Sequence, residues 1–259
     1  MSFIESPGGR LFYRFDGPAD RPVAMLSNSL GTDHGLWDPQ VAELATRYRL
    51  LRYDNRGHGR SAPPAGPVTI ASLGGDALAI LDGLGLERVT FMGLSVGGMV
   101  GMWLAANAPE RIERLVLCNT SAYIGKPEIW NQRIEAVRKG GMASILPGVI
   151  DRWFTAGFRQ RDPQAVEKTS RMMLRTDPAG YIALCEAIRD MDQRASLGKI
   201  RVPTLVIAGA HDVATPPDHA KAIVDTVAGA RLVTLDAAHI SNVEQAARFT
   251  TAVVEFLGR

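Results

Sequence analysis

The chain has 259 residues, of which 46% are hydrophobic and 22% charged, and its 29 Lys and Arg against 27 Asp and Glu leave a formal net charge of +2. That size and apolar content suit one sizeable globular unit and exclude a disordered chain. The charge is mild and evenly scattered, so neither a nucleic acid nor a membrane surface is expected as partner, while a small anionic substrate stays compatible.

The opening MSFIESPGGR has neither the basic start nor the apolar run of a signal peptide, and no later window holds the roughly 18 uncharged apolar residues of a membrane span, so a cytoplasmic protein is expected. FIES and LFYRF read as a hairpin around Pro7-Gly8-Gly9. PVAMLS and YRLLRYD follow as strands, SLGGDALAILDGLGL as a helix, RVTFMGL as a strand, GGMVGMWLAANAP as a helix closed by Pro109, and IERLVLCNT as a strand. From about 122 to 197 the alternation stops. EIWNQRIEAVRKGG, ILPGVIDRWFTAGF, PQAVEKTSRMMLRT and AGYIALCEAIRDMD all read as amphipathic helices. VPTLVIAGA restores the strand pattern, followed by the helical PPDHAKAIVDTVAG, the strand ARLVTLDA and the helix NVEQAARFTTAVVEFLG.

Strands alternating with helices predict an α/β fold, a mostly parallel sheet covered by helices on both faces. Residues 1–121 and 198–259 would form the core, and 122–197 a helical cap inserted into it. Cys118 falls in a strand and Cys185 in a helix, which is neither a disulfide framework nor metal-ligand spacing and points to buried packing.

Ligands of such a sheet bind at the carboxyl ends of its strands. There Gly93-Leu94-Ser95-Val96-Gly97 places a hydroxyl between two glycines in a strand-turn-helix context, the setting of a nucleophilic serine on a sharp turn. A serine needs a base and the base an orienting carboxylate. In this architecture the chain order is Ser, Asp, His, which Asp212 after TLVIAG and His239 after RLVTLDA satisfy. Asp212 could instead cap the turn before Pro216-Pro217, and His239 could be an ordinary loop histidine. Asp236 is the second choice of acid, and Asp218 and Asp225 suit a solvated helix face. His211 and His219 flank Asp212 but follow no strand in position to face Ser95. His58, in a Gly-rich loop, reads as structural with Asp54 and Arg56; His34 is a loop residue without an assigned role. The two backbone donors for an oxyanion would be the amides of Val96 and of Leu30 in NSLGTDHGLW, with Ser29 as alternative.

The motifs SNSLGTDHGLW, RYDNRGHGRS, GLSVGGMVGMWLA, LVLCNTSAYIG, PTLVIAGAHDVATPP and AAHISNVE together resemble the α/β-hydrolases, and specifically the 3-oxoadipate enol-lactone hydrolases. Val96 stands where methionine is frequent in that family, a difference that touches pocket shape rather than the backbone amide. The resemblance implies attack of Ser95 on an enol-lactone carbonyl, an acyl-enzyme, and no metal or organic cofactor, late in bacterial degradation of protocatechuate or catechol. It also matches Trp130 and Arg133 to substrate-contacting positions. Arg138, Lys126 and the pair Arg152-Trp153 are further candidates to meet a substrate carboxylate, and sequence does not choose among them. A carboxylesterase, a perhydrolase-like enzyme or an acyltransferase would use the same residues, and a small-molecule receptor on the same fold could retain them.

Overall fold

A computed structural model describes residues 2–258. Eight strands, β1 (Ser2–Ser6), β2 (Gly9–Asp16), β3 (Val23–Ser27), β4 (Arg49–Tyr53), β5 (Val89–Leu94), β6 (Ile112–Cys118), β7 (Thr204–Gly209) and β8 (Arg231–Leu235), form one sheet in the order β1-β2-β4-β3-β5-β6-β7-β8. The first two strands pair as an antiparallel hairpin, and β2 meets β4 antiparallel. Every remaining pair is parallel, so β3 to β8 deliver their carboxyl ends to one edge. Residues of β5 and β7 are buried throughout, as strands covered on both faces must be. The outer strands β1 and β8 carry mostly exposed or half-buried residues.

The helices are α1 (Asp38–Leu44), α2 (Ile70–Gly83), α3 (Val96–Asn107), α4 (Pro127–Trp153), α5 (Ala156–Arg161), α6 (Pro163–Arg175), α7 (Pro178–Asp190), α8 (Arg194–Leu197), α9 (Pro217–Thr226), α10 (Ser241–Glu244) and α11 (Ala246–Leu257). The capping box of Thr69 and Ser72 starts α2, each side chain accepting from the other's backbone amide. α2 packs on α3, and α1 on α11. Between β6 and β7 lie only helices, α4 to α8, among the described residues.

The sequence pattern did not name α1 and α8, and elsewhere the division into helices differs most at α4 and at the last helix. EIWNQRIEAVRKGG and the first part of ILPGVIDRWFTAGF join into the single α4, which kinks where Gly141 takes φ 64° and ends at Phe154 in extended backbone. The last predicted helix is two, because Gln245 (φ −123°, ψ 45°) breaks the helical path between α10 and α11. Cys118 and Cys185 are free and buried. No described helix is long and apolar enough to cross a membrane.

The loop after β4 is braced from within. Arg56 forms a buried ion pair with Asp76 of α2. His58 is fully buried, its Nδ1 2.9 Å from the Arg56 carbonyl, and burial lowers its pKa. Asp54 accepts from the backbone amides of His34 and Arg60, at 2.6 and 2.9 Å, and pairs with the His34 ring at 2.9 Å. His34 thus belongs to the brace of this loop.

Candidate active site

Ser95 stands between the end of β5 and the start of α3 with φ 57° and ψ −116°, a region costly for a residue with a Cβ, of order 1–3 kcal/mol. Its neighbours enforce that conformation. The Ser95 amide donates to the Cys118 carbonyl at 2.9 Å, the Thr120 hydroxyl donates to the Ser95 carbonyl at 2.7 Å, and the Gly97 amide donates to the Asn28 carbonyl at 3.1 Å. Only glycine fits on either side. A Cβ on Gly93 would lie 2.1 Å from the Gly97 carbonyl oxygen, and one on Gly97 would lie 2.3 Å from that of Ser27.

Asp212 follows β7 and is only 2% exposed. Its Oδ1 accepts from the amides of Ala214 and Thr215 at 2.8 and 2.9 Å, a turn closed by the carboxylate. Its Oδ2 accepts from the Thr215 hydroxyl at 2.7 Å, the Asn119 amide at 3.0 Å and His239 Nδ1 at 2.8 Å. Burial pushes the Asp212 carboxyl up, but the His239 charge, its hydrogen bond and the donors of Thr215 and Asn119 outweigh it and hold the group down at about 2. An ionised carboxylate only accepts, so Nδ1 of His239 is the donor of this hydrogen bond and Nε2 is the ring nitrogen left outside it. His239, 4% exposed, and Ser95, 7% exposed, line the same cavity.

That cavity has a volume of about 340 Å³. Its floor is the sheet edge with Ser29, Leu30, Ser95 and Met99, and α4 supplies Trp130, Arg133, Val149, Arg152 and Trp153 to its walls. Val96 is the first residue of α3, so its amide has no acceptor within the helix. The Leu30 peptide borders the cavity just before Gly31, whose φ of 79° turns the loop. The structure therefore brings Ser95, Asp212, His239, Leu30 and Val96 to one edge of the sheet.

Two of the three arginine candidates of α4, Arg133 and Arg152, reach the cavity. Arg133 lies over the Trp130 ring at 4.8 Å and reaches the Tyr181 hydroxyl, while Arg152 sits close enough for the Arg133 charge, after burial, to lower its pKa. Among the described residues neither has a carboxylate within 4.0 Å. Arg138, by contrast, points away and pairs with Glu135 and Glu186. Lys126 lies in the cavity wall.

Other groups escaped the sequence reading. His219, placed by sequence away from Ser95, lines the cavity with Pro216, because α9 begins at Pro217 and its first turn lies against it. Asn119, at φ 45°, donates to Asp212 and to the Ala238 carbonyl at 3.2 Å and accepts from Ser241. Asp236 instead pairs with the exposed His211 at 2.7 Å.

A buried acid on a histidine, a serine on a strained turn and backbone amides at one sheet edge can open an ester by nucleophilic attack. Known proteins agree in kind. The family described as alpha/beta hydrolase fold matches residues 25–177. The chain is 41% identical over 249 residues to 3-oxoadipate enol-lactonase 2 of Acinetobacter baylyi, covering 96% of this chain and 93% of that one. To 3-oxoadipate enol-lactonase 1 of the same organism it is 37% identical over 242 residues, covering 93% and 91%. The crystal structure of the enol-lactonase from Burkholderia xenovorans LB400 superposes with a TM-score of 0.98 at 46% identity over the whole of both chains. The chain belongs to the alpha/beta-hydrolase family and, within it, to the 3-oxoadipate enol-lactonase group of enzymes.

Proposed function

We propose that this protein hydrolyses 3-oxoadipate enol-lactone to 3-oxoadipate, with Ser95 as nucleophile, His239 as general base and then acid, and Asp212 as the orienting carboxylate. His239 Nε2 takes the Ser95 proton as Oγ attacks the lactone carbonyl. The oxyanion rests on the amides of Leu30 and Val96. Collapse breaks the bond between the acyl carbon and the ring oxygen, and the departing enol oxygen takes the proton from His239. Water, deprotonated by the same nitrogen, then attacks the acyl-enzyme and returns Ser95 with a new carboxylate, while the enol becomes a ketone. An enolate is a better leaving group than an alkoxide, so modest acid assistance suffices.

Residues 122–197 act in this reading as a cap that walls the reacting centre. The observation that carries the substrate class is the pair Arg133 and Arg152, two half-buried cations in the cavity wall without a carboxylate partner. Two like charges held together repel, and an enclosed substrate carboxylate relieves both. Trp130 supplies an apolar wall beside it.

The test compares the lactone with a neutral aryl ester in Arg133→Met and Arg152→Met. A charge-assisted hydrogen bond contributes about 1.5–3 kcal/mol, so each change should lower kcat/KM for the lactone roughly 10- to 100-fold and leave the neutral ester within about threefold. Equal losses on both substrates would remove the carboxylate from the reading and favour a hydrolase of small neutral esters.

A further inference from the structure

We infer that Glu244 is a positioning residue that ties the loop carrying His239 to the junction of α4 and α5, so that the base and the cavity wall keep one relative placement; this rests on the proposed role of His239. Glu244 closes α10 and is 6% exposed, yet no basic side chain lies within salt-bridge distance of it among the described residues. Burying a carboxylate without a counter-ion is costly unless donors converge on it. Here they come from two separate parts of the chain. The Ala238 amide donates to Oε2 at 2.9 Å, the Thr155 amide donates to the same oxygen at 3.3 Å, and the Thr155 hydroxyl donates to Oε1 in a short hydrogen bond.

The placement of these donors gives the contact its meaning. Ala238 immediately precedes His239, and Thr155 caps α5 just beyond the end of α4, its hydroxyl oxygen accepting from the Phe158 amide. On the other side of the histidine, the Ile240 amide donates to the Trp153 carbonyl at 3.0 Å. Both backbone neighbours of His239 are therefore tied to the three-residue span Trp153 to Thr155. The Trp153 ring lines the cavity. The Ala238 peptide is held from both sides, its amide by Glu244 and its carbonyl by Asn119. A helix end that only needed a cap would not require an acceptor reaching across 89 residues of sequence. Thr155 and Glu244 share a surface cleft with Arg161, His211 and Asp236, whose exposed side chains solvent screens.

The consequence is a split between turnover and binding. Loosening the tie lets the His239 ring wander relative to Ser95, and a misplacement of about 1 Å can cost on the order of 100-fold in rate. The arginines and Trp130 stay where they are, so substrate affinity changes little.

The experiment uses Glu244→Leu, Glu244→Gln and Thr155→Val in the full chain, assayed with a neutral aryl ester and with the lactone, alongside thermal unfolding. Glu244→Leu and Thr155→Val should each lower kcat about 10- to 100-fold with KM within about threefold, and their double variant should lose little more than either alone, since both cut one tie. Glu244→Gln, whose amide oxygen still accepts from Ala238, should recover most of kcat. Should Glu244→Leu fail to fold, Thr155→Val and Glu244→Gln decide the matter. Turnover within about twofold of the parent in Thr155→Val, or Gln and Leu variants that differ in unfolding temperature but not in kcat, would overturn the inference by making the contact structural. Because the aryl ester reads His239 whatever the natural substrate, a parent protein inactive on the lactone refutes the proposed substrate and leaves this inference to be judged on the ester.

Discussion

Asp212 Oδ2 and His239 Nδ1 lie 2.8 Å apart with both side chains shut off from solvent, and every remaining lone pair of the carboxylate that the fold reaches is met by a donor of Ala214, Thr215 or Asn119. The acid is thereby held ionised and fixed, which is what a base needs of its orienting partner.

Asp212→Asn keeps the size of the group and most of its neighbours, but its amide nitrogen can turn a donor toward Nδ1 and favour the wrong tautomer of His239. Turnover should fall about 10⁴-fold while the far-ultraviolet circular dichroism stays that of the parent. Steady-state kinetics on an aryl ester checks it. Near-parent turnover would move the acid role away from Asp212.

The same carboxylate makes stability depend on pH. Its folded value of about 2 lies below the ordinary unfolded value of about 3.9, so the unfolded chain takes up the proton first as pH falls. The contribution, of order 2 kcal/mol, is therefore complete above about pH 4 and is lost as pH falls through about 2. Burial depresses the His58 pKa as well, so the folded chain also loses stability below about pH 6.5, where the unfolded imidazole protonates. Guanidinium unfolding from pH 7 to pH 2 should show the lower step in the parent and not in Asp212→Asn. An identical pH dependence in both proteins would contradict it.

Asn119 carries two burdens, a left-handed backbone and a set of hydrogen bonds joining Asp212, Ala238 and Ser241. Asn119→Ala should cost about 2–4 kcal/mol by combining lost hydrogen bonds with backbone strain of about 1 kcal/mol. Asn119→Gly should recover the strain alone, remaining at least 10-fold below the parent in kcat. Denaturant midpoints and kcat measured on both variants separate the two contributions. Equal stability of the Ala and Gly variants would show that the backbone at this position is unstrained.

How much of this was legible in the sequence follows from how local each signal is. The turn at Ser95 is encoded within five residues, because the two glycines that permit it sit beside it and the buried strand before it is a continuous apolar run. Asp212 and His239 could be placed because each lies in the short loop after a strand. Asn119 and Glu244 carried no such signal. Their partners lie 93 and 89 residues away, and an Asn past a strand end or a Glu at a helix end takes its meaning from what the fold brings to it. His219 was misplaced because the direction of a helix's first turn depends on how Pro216-Pro217 enters it. Arg133 and Arg152 could not be ranked from sequence, and the kink at Gly141 is the reason both reach one cavity from a single helix.

The most direct measurement follows the ultraviolet absorbance of freshly generated 3-oxoadipate enol-lactone in the presence of the purified protein, with Ser95→Ala as control and an aryl ester as competing substrate. Rapid loss of the lactone, faster than ester cleavage and abolished in Ser95→Ala, is the predicted result. A lactone that persists while the ester is cleaved, or that disappears equally fast with Ser95→Ala, would contradict the account.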